Sequence, residues 1–487
     1  MNNIVKKLEA HDKQAKSYTY KIIKDTGMIK HDANHNLYMK GKYNLYQLIP
    51  ESEEVSAIRM LFTSESQLFL ASRNISDIAN SLKDDPDLLL DTEIVNTGEI
   101  VFENGFYNCI KKVMLEEYPY EYVEAKCCAH YKENVTIEDA PNFLRFVKTS
   151  LDYDVSTERT QLLLQIIGYI ISDFNSAKKA FFLLGPPSCG KSVILTFLKH
   201  VVGEEYVSEI PFGKISDRFA TGQLYGKRVN ISGELAEGSF PKLDIFKSIT
   251  GGDMIFGEKK GKDGFFYQPR VKLINAGNTM PIPQKNDGTK AISDRLCFLI
   301  FPHSVEKKEW NINLIEELLQ EKDVICSLAV NELKGLLDSN FLFIQPEDSQ
   351  KMQKVYEEQF NVLDIFMNEE CTIAKGESVS SLELWKKFED FCLQNCMGKR
   401  NITIQVFIAQ VASIPGVEKK RVRRNGRQET ILYGIGTKTE INAITENLEK
   451  KKERKNVFGG TWIKPKIREC KTNCKENNSS CTREVKK

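Results

Sequence analysis

The sequence predicts an α/β protein: a parallel-sheet core, a mostly helical region before it and a small charged unit after it. Three observations carry this. From Ala180 the short apolar runs FFLLG, RVNISG, VKLINAG and LCFLIF alternate with polar and helical stretches, the texture of strands joined by crossovers. One glycine-rich loop, GPPSCGKS, lies between an apolar strand and a helix. Beyond residue 378, two helical patterns precede a basic hairpin pattern.

Along the chain, residues 1–47 are rich in Lys and Tyr (KSYTYKIIK, YMKGKYNLYQL) and read as short strands with turns. PESEEVS marks a boundary, SRNISDIANSLKDD a helix, and the acidic stretch around Pro86 a turn. VFENGFYN is extended. TQLLLQIIGYIISDF carries apolar residues on more than one helical face, which predicts a well-buried helix. AFFLL is a strand and SVILTFLKHV a helix; INLIEELLQ and VICSLAVNELKGLLD read as helices. The divisions expected are 1–95, of unknown role; 96–175, mostly helical; 176–340, the sheet core; 341–440, the C-terminal unit; and 441–487, a basic tail.

A length of 487 residues suits about three domains at roughly 100–200 residues each. With 41% hydrophobic and 28% charged residues, disorder, collagen and a disulfide-stapled mini-protein are excluded. No stretch reaches the about 18 consecutive apolar residues of a membrane helix, and MNNIVKKLEAHDK has no signal-peptide core. Twelve cysteines without paired spacing predict reduced, mostly buried thiols in a cytoplasmic protein. Cys470, Cys474 and Cys481, the CCAH stretch and the His31/His35 pair are each incomplete as zinc sites, so solvated or core residues are the alternative.

GPPSCGKS satisfies G-x-x-x-x-G-K-[ST] in the strand–loop–helix context that the pattern requires. Gly185, Pro186, Pro187, Ser188, Cys189 and Gly190 would curl the backbone so that N–H groups converge on phosphate oxygens, aided by the helix N-terminus. Lys191 would reach the β- and γ-phosphates of ATP and Ser192 would ligate Mg²⁺. A hydrolysing site also needs an acid on a second strand, and NISGE ends a strand at Glu234, with Glu237 following. KLINAGN delivers Asn278 to a strand end, and SDRL places Arg295 just before an apolar strand. The alternative for Glu234 is a surface glutamate after a strand, which its spacing disfavours; standing alone, a surface salt-bridge arginine would be the plainer reading of Arg295.

The ordered series GPPSCGKS, NISGE, TGGDMIFGEKKGKDGFFYQP, KLINAGN and SDRL resembles superfamily 3 helicases, hexameric AAA+ motors of small viruses, phages and plasmids. Within these it looks most like the phage/plasmid primase–helicase family, where Asn104-Gly105-Phe106-Tyr107 and Ile167-Gly168-Tyr169 also fit; the resemblance spans about residues 100–436. It implies an AAA+ P-loop ATPase core using ATP and Mg²⁺, with Ser192 and Glu234 at the metal, Glu234 helping to activate water and Asn278 positioning it. Arg295 is similar to the arginine finger that completes a neighbouring subunit's site. The segment between Gly251 and Gln268 matches the DNA-contacting hairpin, with Lys259, Lys260 and Lys262 as candidate phosphate contacts. Many relatives carry two adjacent acids where Glu234 stands between Gly233 and Leu235, so which acid serves metal and which serves water stays open. The family's N-terminal primase has no counterpart among residues 1–95, and a separate primase could supply that activity.

Helix–helix–hairpin over VSSLELWKKFEDFCLQNCM, TIQVFIAQVASIPGV and EKKRVRRNGRQETILYGIG looks like a winged helix, matching the same family. The turn falls at Asn425-Gly426. Six Lys/Arg and two Glu between Glu418 and Glu429 make Arg421, Arg423, Arg424 and Arg427 candidate DNA contacts, the alternative being a charge-protected edge hairpin. The expected protein is a replicative DNA helicase of a phage, prophage or plasmid-like element in the bacterial cytoplasm, a homo-hexamer acting on single-stranded and forked DNA and not on a membrane. The alternatives are an initiator that melts origin DNA without processive unwinding, and a P-loop small-molecule kinase. The formal net charge of +1 conceals a tail from Lys450 with 13 Lys/Arg and four Glu, beside a body at −8. Local basic patches set phosphate affinity more than the total does.

Overall fold

The computed structural model of the chain describes residues 15–67, 71–92, 97–118, 120–122, 126–235, 240–261, 263–280, 291–360, 362–394, 403–424 and 427–438. It divides into two compact units. One comprises the residues up to Val362 with 392–406, the other Leu363–Phe391 and the residues from Phe407 onward.

The N-terminal segment opens on a helix, α1 (Ala15–Thr26), where Tyr/Lys alternation led us to expect strand. Thr19 and Ile23, four residues apart, are fully buried, so the helical period decides. The antiparallel meander β1 (Ile29–His31), β2 (Leu37–Lys40) and β3 (Tyr46–Leu48) follows. Helices α2 (Glu54–Met60), α3 (Ser64–Gln67) and α4 (Ser72–Lys83) come next. Ile23, Ile29, Leu37, Ile58, Phe62, Ile75, Ile78 and Leu82 form their shared core.

The region expected to be mostly helical starts with a second antiparallel sheet, β4 (Glu99–Phe102), β5 (Gly105–Asn108) and β6 (Val113–Leu115). Gly105 has φ +146° in the β4–β5 turn, which explains the Asn-Gly pair there. The Asn104 side chain is bonded both ways to the Tyr131 backbone, each at 2.9 Å. The helices α5 (Pro141–Leu151) and α6 (Glu158–Ile171) follow, and α6 is buried on all sides from Leu162 onward.

The central sheet is parallel and five-stranded, formed by β7 (Ala180–Leu184), β8 (Val207–Ser208), β9 (Val229–Ser232), β12 (Lys272–Gly277) and β13 (Leu296–Ile300). Its order is β13-β7-β12-β9-β8. Helices α7 (Lys191–Val202), α8 (Ala220–Gln223) and α9 (Leu243–Gly251) lie in the crossovers, with an antiparallel hairpin, β10 (Ile255–Gly257) and β11 (Phe265–Tyr267). Alternate residues of β7 serve opposite faces. Phe181 and Leu183 join the core that includes α6 and α7, whereas Ala180, Phe182 and Leu184 join the one beside α9. Three helices complete the unit: α10 (Leu314–Gln320), α11 (Lys322–Asp338) and α12 (Glu347–Phe360).

Helix α6 crosses α11 at Gly168, where a Cβ would stand 2.4 Å from the Ala329 carbonyl oxygen. The glycine of the Ile-Gly-Tyr sequence is therefore a close-packing residue. Gly168→Ala should gain up to about 1 kcal/mol of helix propensity but lose more to the backbone clash. The net expectation is destabilisation by about 1–3 kcal/mol, read as a lower urea midpoint. An unchanged midpoint would show that α11 yields.

The second unit holds most of α13 (Val362–Glu370), α14 (Ser381–Gln394) and α15 (Ile404–Ala412), and all of β14 (Cys371–Ser380), β15 (Glu418–Arg424) and β16 (Arg427–Thr437). The sheet order is β14-β16-β15, antiparallel. Phe366, Phe388 and Phe407 form its aromatic centre, with ring centroids 4.9–6.2 Å apart. Strand β14 was not anticipated. Its middle is exposed and its register shifts between Ile373 and Ser378, so it lacks the alternation that marks a strand.

Among the described residues no helix is long and apolar enough to cross a membrane, and no group of three or more His, Cys, Asp or Glu could hold a metal. The His31 ring nitrogens instead lie 2.9 Å from the carbonyls of Asp32 and Asp85. The tail cysteines lie outside the described residues.

Candidate nucleotide site and nucleic-acid hairpins

Strand β7 ends at Leu184, and the loop that follows is built on two close approaches. A Cβ on Gly185 would lie 2.5 Å from the Phe301 carbonyl oxygen; one on Gly190, where φ is +100°, would lie 2.7 Å from the Phe146 ring. Neither position accepts a side chain, so GPPSCGKS closes tightly between β13 and α5. Gly190 is also the N-cap of α7, and no side chain caps that helix end. An uncapped helix N-terminus facing a curled loop is an anion-binding arrangement.

The Lys191 ammonium turns back over the loop, donating to the carbonyls of Gly185 at 2.8 Å and Pro186 at 2.6 Å. It also lies 3.4 Å from Asn278 Oδ1. Asn278 stands just beyond β12, which is the direct neighbour of β7, with Gly277 in register with Leu184. Ser192 and Glu234 line one cavity of about 440 Å³ together with Thr196, Glu209 and Ser232. Ser232 holds the exit of β9 in place: its hydroxyl donates to the Glu234 carbonyl at 3.2 Å and accepts from the Phe212 N–H at 3.1 Å. Glu237 lies outside the described residues. Burial pushes the Cys189 thiol above its usual range despite Lys191 beside it, which keeps it protonated at neutral pH.

A strap from the end of β13 holds the loop from outside. Phe301 N–H donates to the Leu184 carbonyl at 2.7 Å, Ser304 Oγ to Pro187 at 3.0 Å, and Val305 N–H to Ser188 at 3.0 Å. His303 Nε2 lies 3.1 Å from Asp152 of the α5 C-cap. Sequence reasoning missed this strap, because nothing in PHSV marks it and its role comes from strand order alone.

Arg295 is not brought to this loop. Strand β13 runs parallel to β7 with Leu296 opposite Ala180 and Ile300 opposite Leu184. Arg295 therefore sits at the far end of the sheet, five strand residues from the loop, or roughly 16 Å. There its Nε donates to Thr250 Oγ1 at 3.1 Å and its Nη1 to the Ala291 carbonyl.

The structure separates the candidate lysines of the β10–β11 hairpin. Lys259 is half-buried, with Nζ 5.8 and 5.7 Å from the Tyr225 and Phe265 ring centroids, and burial lowers its pKa. The Tyr225 hydroxyl in turn bonds the buried Asp32 of the N-terminal segment. Lys260 is exposed, while Lys262 lies outside the described residues. In the second unit, Arg421 and Arg423 are exposed on one face of β15, and Arg424 pairs in register with Arg427 of β16. Residues Asn425 and Gly426 lie outside the described residues.

The sheet and loop are those of a P-loop-like α/β core, and residues 183–295 match a family of unknown function (DUF5906). A protein of Acanthamoeba polyphaga mimivirus, named "Putative helicase L207/L206", is 23% identical over 219 residues, which are 42% of this chain. The aligned part is 22% of that protein, so the chain spans about a fifth of its length. Two solved structures of the NrS-1 C-terminal region, both apo, superpose at TM-scores of 0.46 and 0.45 with 13% identity. They cover 87% and 86% of this chain and 100% and 98% of theirs.

Proposed function

We propose that this chain is the ATP-driven motor of a replicative DNA helicase, an AAA+ protein of superfamily 3 acting as a ring of identical subunits. The observation that carries the reading is the convergence at one sheet end of a tight phosphate loop with Lys191, Asn278 within 3.4 Å of it on the neighbouring strand, and a cavity shared by Ser192 and Glu234. The strand order supports it, since β7, β8, β9, β12 and β13 taken as one to five read 5-1-4-3-2. A helicase-named relative supports it too.

The residues present fit ATP and Mg²⁺. The loop and Lys191 would hold the phosphates, Ser192 and Glu234 the metal, and Asn278 would orient a water. The metal would supply charge neutralisation at the phosphates. Arg295, remote from its own loop, suits the site of an adjacent copy. The three-stranded sheet and helices of the second unit support a winged helix, with Arg421, Arg423, Arg424 and Arg427 as its candidate DNA contacts. A phage, prophage or plasmid-like element in a bacterial cell is the setting this reading implies, with any primase supplied separately.

Strand displacement on a forked duplex is the test. ATP-dependent displacement with DNA-stimulated hydrolysis is expected. ATP-dependent melting without sustained unwinding would replace the helicase by an origin-melting initiator, and hydrolysis indifferent to DNA would overturn both.

A further inference from the structure

The exit of strand β9 brings Glu234 between Gly233 and Leu235, with no adjoining acid. A second carboxylate reaches the same cavity from the neighbouring strand. Glu209, just beyond β8, lines it together with Ser192, Thr196, Lys199 and Glu234.

The edge strand β8 is too short to place Glu209 by its own ladder. It pairs with β9 at Val207–Val229 and Ser208–Asn230, and there the backbone pairing ends. Side chains of β9 then take over. Asn230 Oδ1 accepts from Ser208 Oγ at 2.9 Å and from the Ile210 N–H at 3.0 Å. Its Nδ2 donates to the Ile210 carbonyl at 2.9 Å, and Ser232 Oγ accepts from the Phe212 N–H at 3.1 Å. Asn230 and Ser232 are both buried, so residues 208–212 are stitched to β9 from within. Alternation does the rest: Ile210 and Phe212 join the core beside α9, while Glu209 and Pro211 line the cavity.

Across the cavity, α7 presents Ser192, Thr196 and Lys199 at i, i+4 and i+7, one face of the helix. Lys199 Nζ lies 3.3 Å from Glu209 Oε1, with the two side chains 30% and 62% exposed. An open ion pair of this kind contributes at most about 1 kcal/mol. Its energy alone gives no reason for a buried framework that fixes Glu209 beside Glu234.

We propose that Glu209 is the second acid of the nucleotide site, a positioning residue that accepts hydrogen bonds from water ligands of Mg²⁺ held at Ser192 and Glu234. The inference rests on the motor reading and deepens it by naming an acid outside the expected motifs. Mg²⁺ sheds its waters reluctantly and keeps several when bound with a nucleotide. A carboxylate is a strong acceptor for such waters. Ser192 and Lys199 stand roughly 10 Å apart along the helix axis, so an acid bonded to Lys199 suits contact through water rather than direct ligation. Lys199 holds the carboxylate when the metal is absent and releases it to the waters when the metal binds.

The experiment measures binding of fluorescent ADP to the full chain over a range of Mg²⁺ concentrations and in chelator. In Glu209→Gln the Mg²⁺ needed for half-maximal enhancement should rise roughly 10- to 100-fold. Affinity in chelator should not fall, because the metal-free nucleotide makes no use of this carboxylate. Lys199→Met should leave the Mg²⁺ requirement at or below that of the wild type, and both variants should keep the wild-type urea midpoint. An unchanged Mg²⁺ requirement in Glu209→Gln overturns the assignment, as does equal weakening with and without metal. A Lys199→Met variant with the same defect would reduce Glu209 to an ion-pair partner. A larger shift in Glu209→Gln than in Glu234→Gln would make Glu209 a direct ligand and overturn the role through water. Failure of the wild type to bind ADP at all overturns the motor reading itself.

Discussion

Replacing Lys191 with alanine is expected to abolish nucleotide hydrolysis, a loss of at least about 10²–10³ in turnover, the range for removing one preorganised donor from developing oxyanion charge. The ammonium is already aimed at the loop interior, held by the Gly185 and Pro186 carbonyls at 2.8 and 2.6 Å. Two neutral carbonyls are weaker partners than a phosphate oxygen, so the ammonium can exchange onto an incoming anion with little rearrangement. Because Lys191 lies at the loop and not in the core, the variant should keep its urea midpoint while phosphate release falls to background. Calorimetry would separate the two ways of losing activity, weak binding or idle binding. Turnover close to wild type would remove Lys191 from the site.

Arg295→Ala should cut turnover by roughly 10³, the lower end of what an arginine finger contributes. Arg295 lies at the opposite end of the sheet from its own loop, so a direct contact with phosphates would have to be made in another copy, as the proposed ring requires. Mixed assemblies of wild-type and variant chains should therefore lose more activity than the variant fraction alone predicts. A structural role gives a different pattern. Arg295 is tied to Thr250 at 3.1 Å, so if that tie were its whole contribution, Thr250→Val would reproduce the defect. Activity strictly proportional to the wild-type fraction, or a Thr250→Val variant as impaired as Arg295→Ala, would return the arginine to a packing role.

What could be read from the residues, and what could not, divides by the range of the forces involved. GPPSCGKS was legible because each position answers a local demand: glycine where a Cβ would collide, lysine and serine at the start of a helix. The strands ending at Leu184, Ser232, Gly277 and Ile300 were legible because both faces are buried and the apolar runs are continuous. Helix α1 was misread because its interleaved Tyr and Lys imitate a strand, while the burial that decides it is carried, among the described side chains, by Thr19 and Ile23. Strand β14 was invisible because a partner strand, not a hydrophobic pattern, holds it. The strap at Ser304 and Val305, and the packing of Lys259 on Tyr225, depend on residues more than 30 positions away along the chain. No local window contains that information.

Strand β13 has Arg295 directly before it and the loop strap directly after it, with five residues between, all in register with β7. It is a spacer of fixed gauge. Inserting or deleting one residue would shift one end by about 3.3 Å and turn Phe298 out of its core toward the opposite face. The distance between the arginine and the strap can thus change only in whole steps, each of which undoes the sheet. Chains that keep this architecture should tolerate exchange of apolar residues along the strand but not a change in its length.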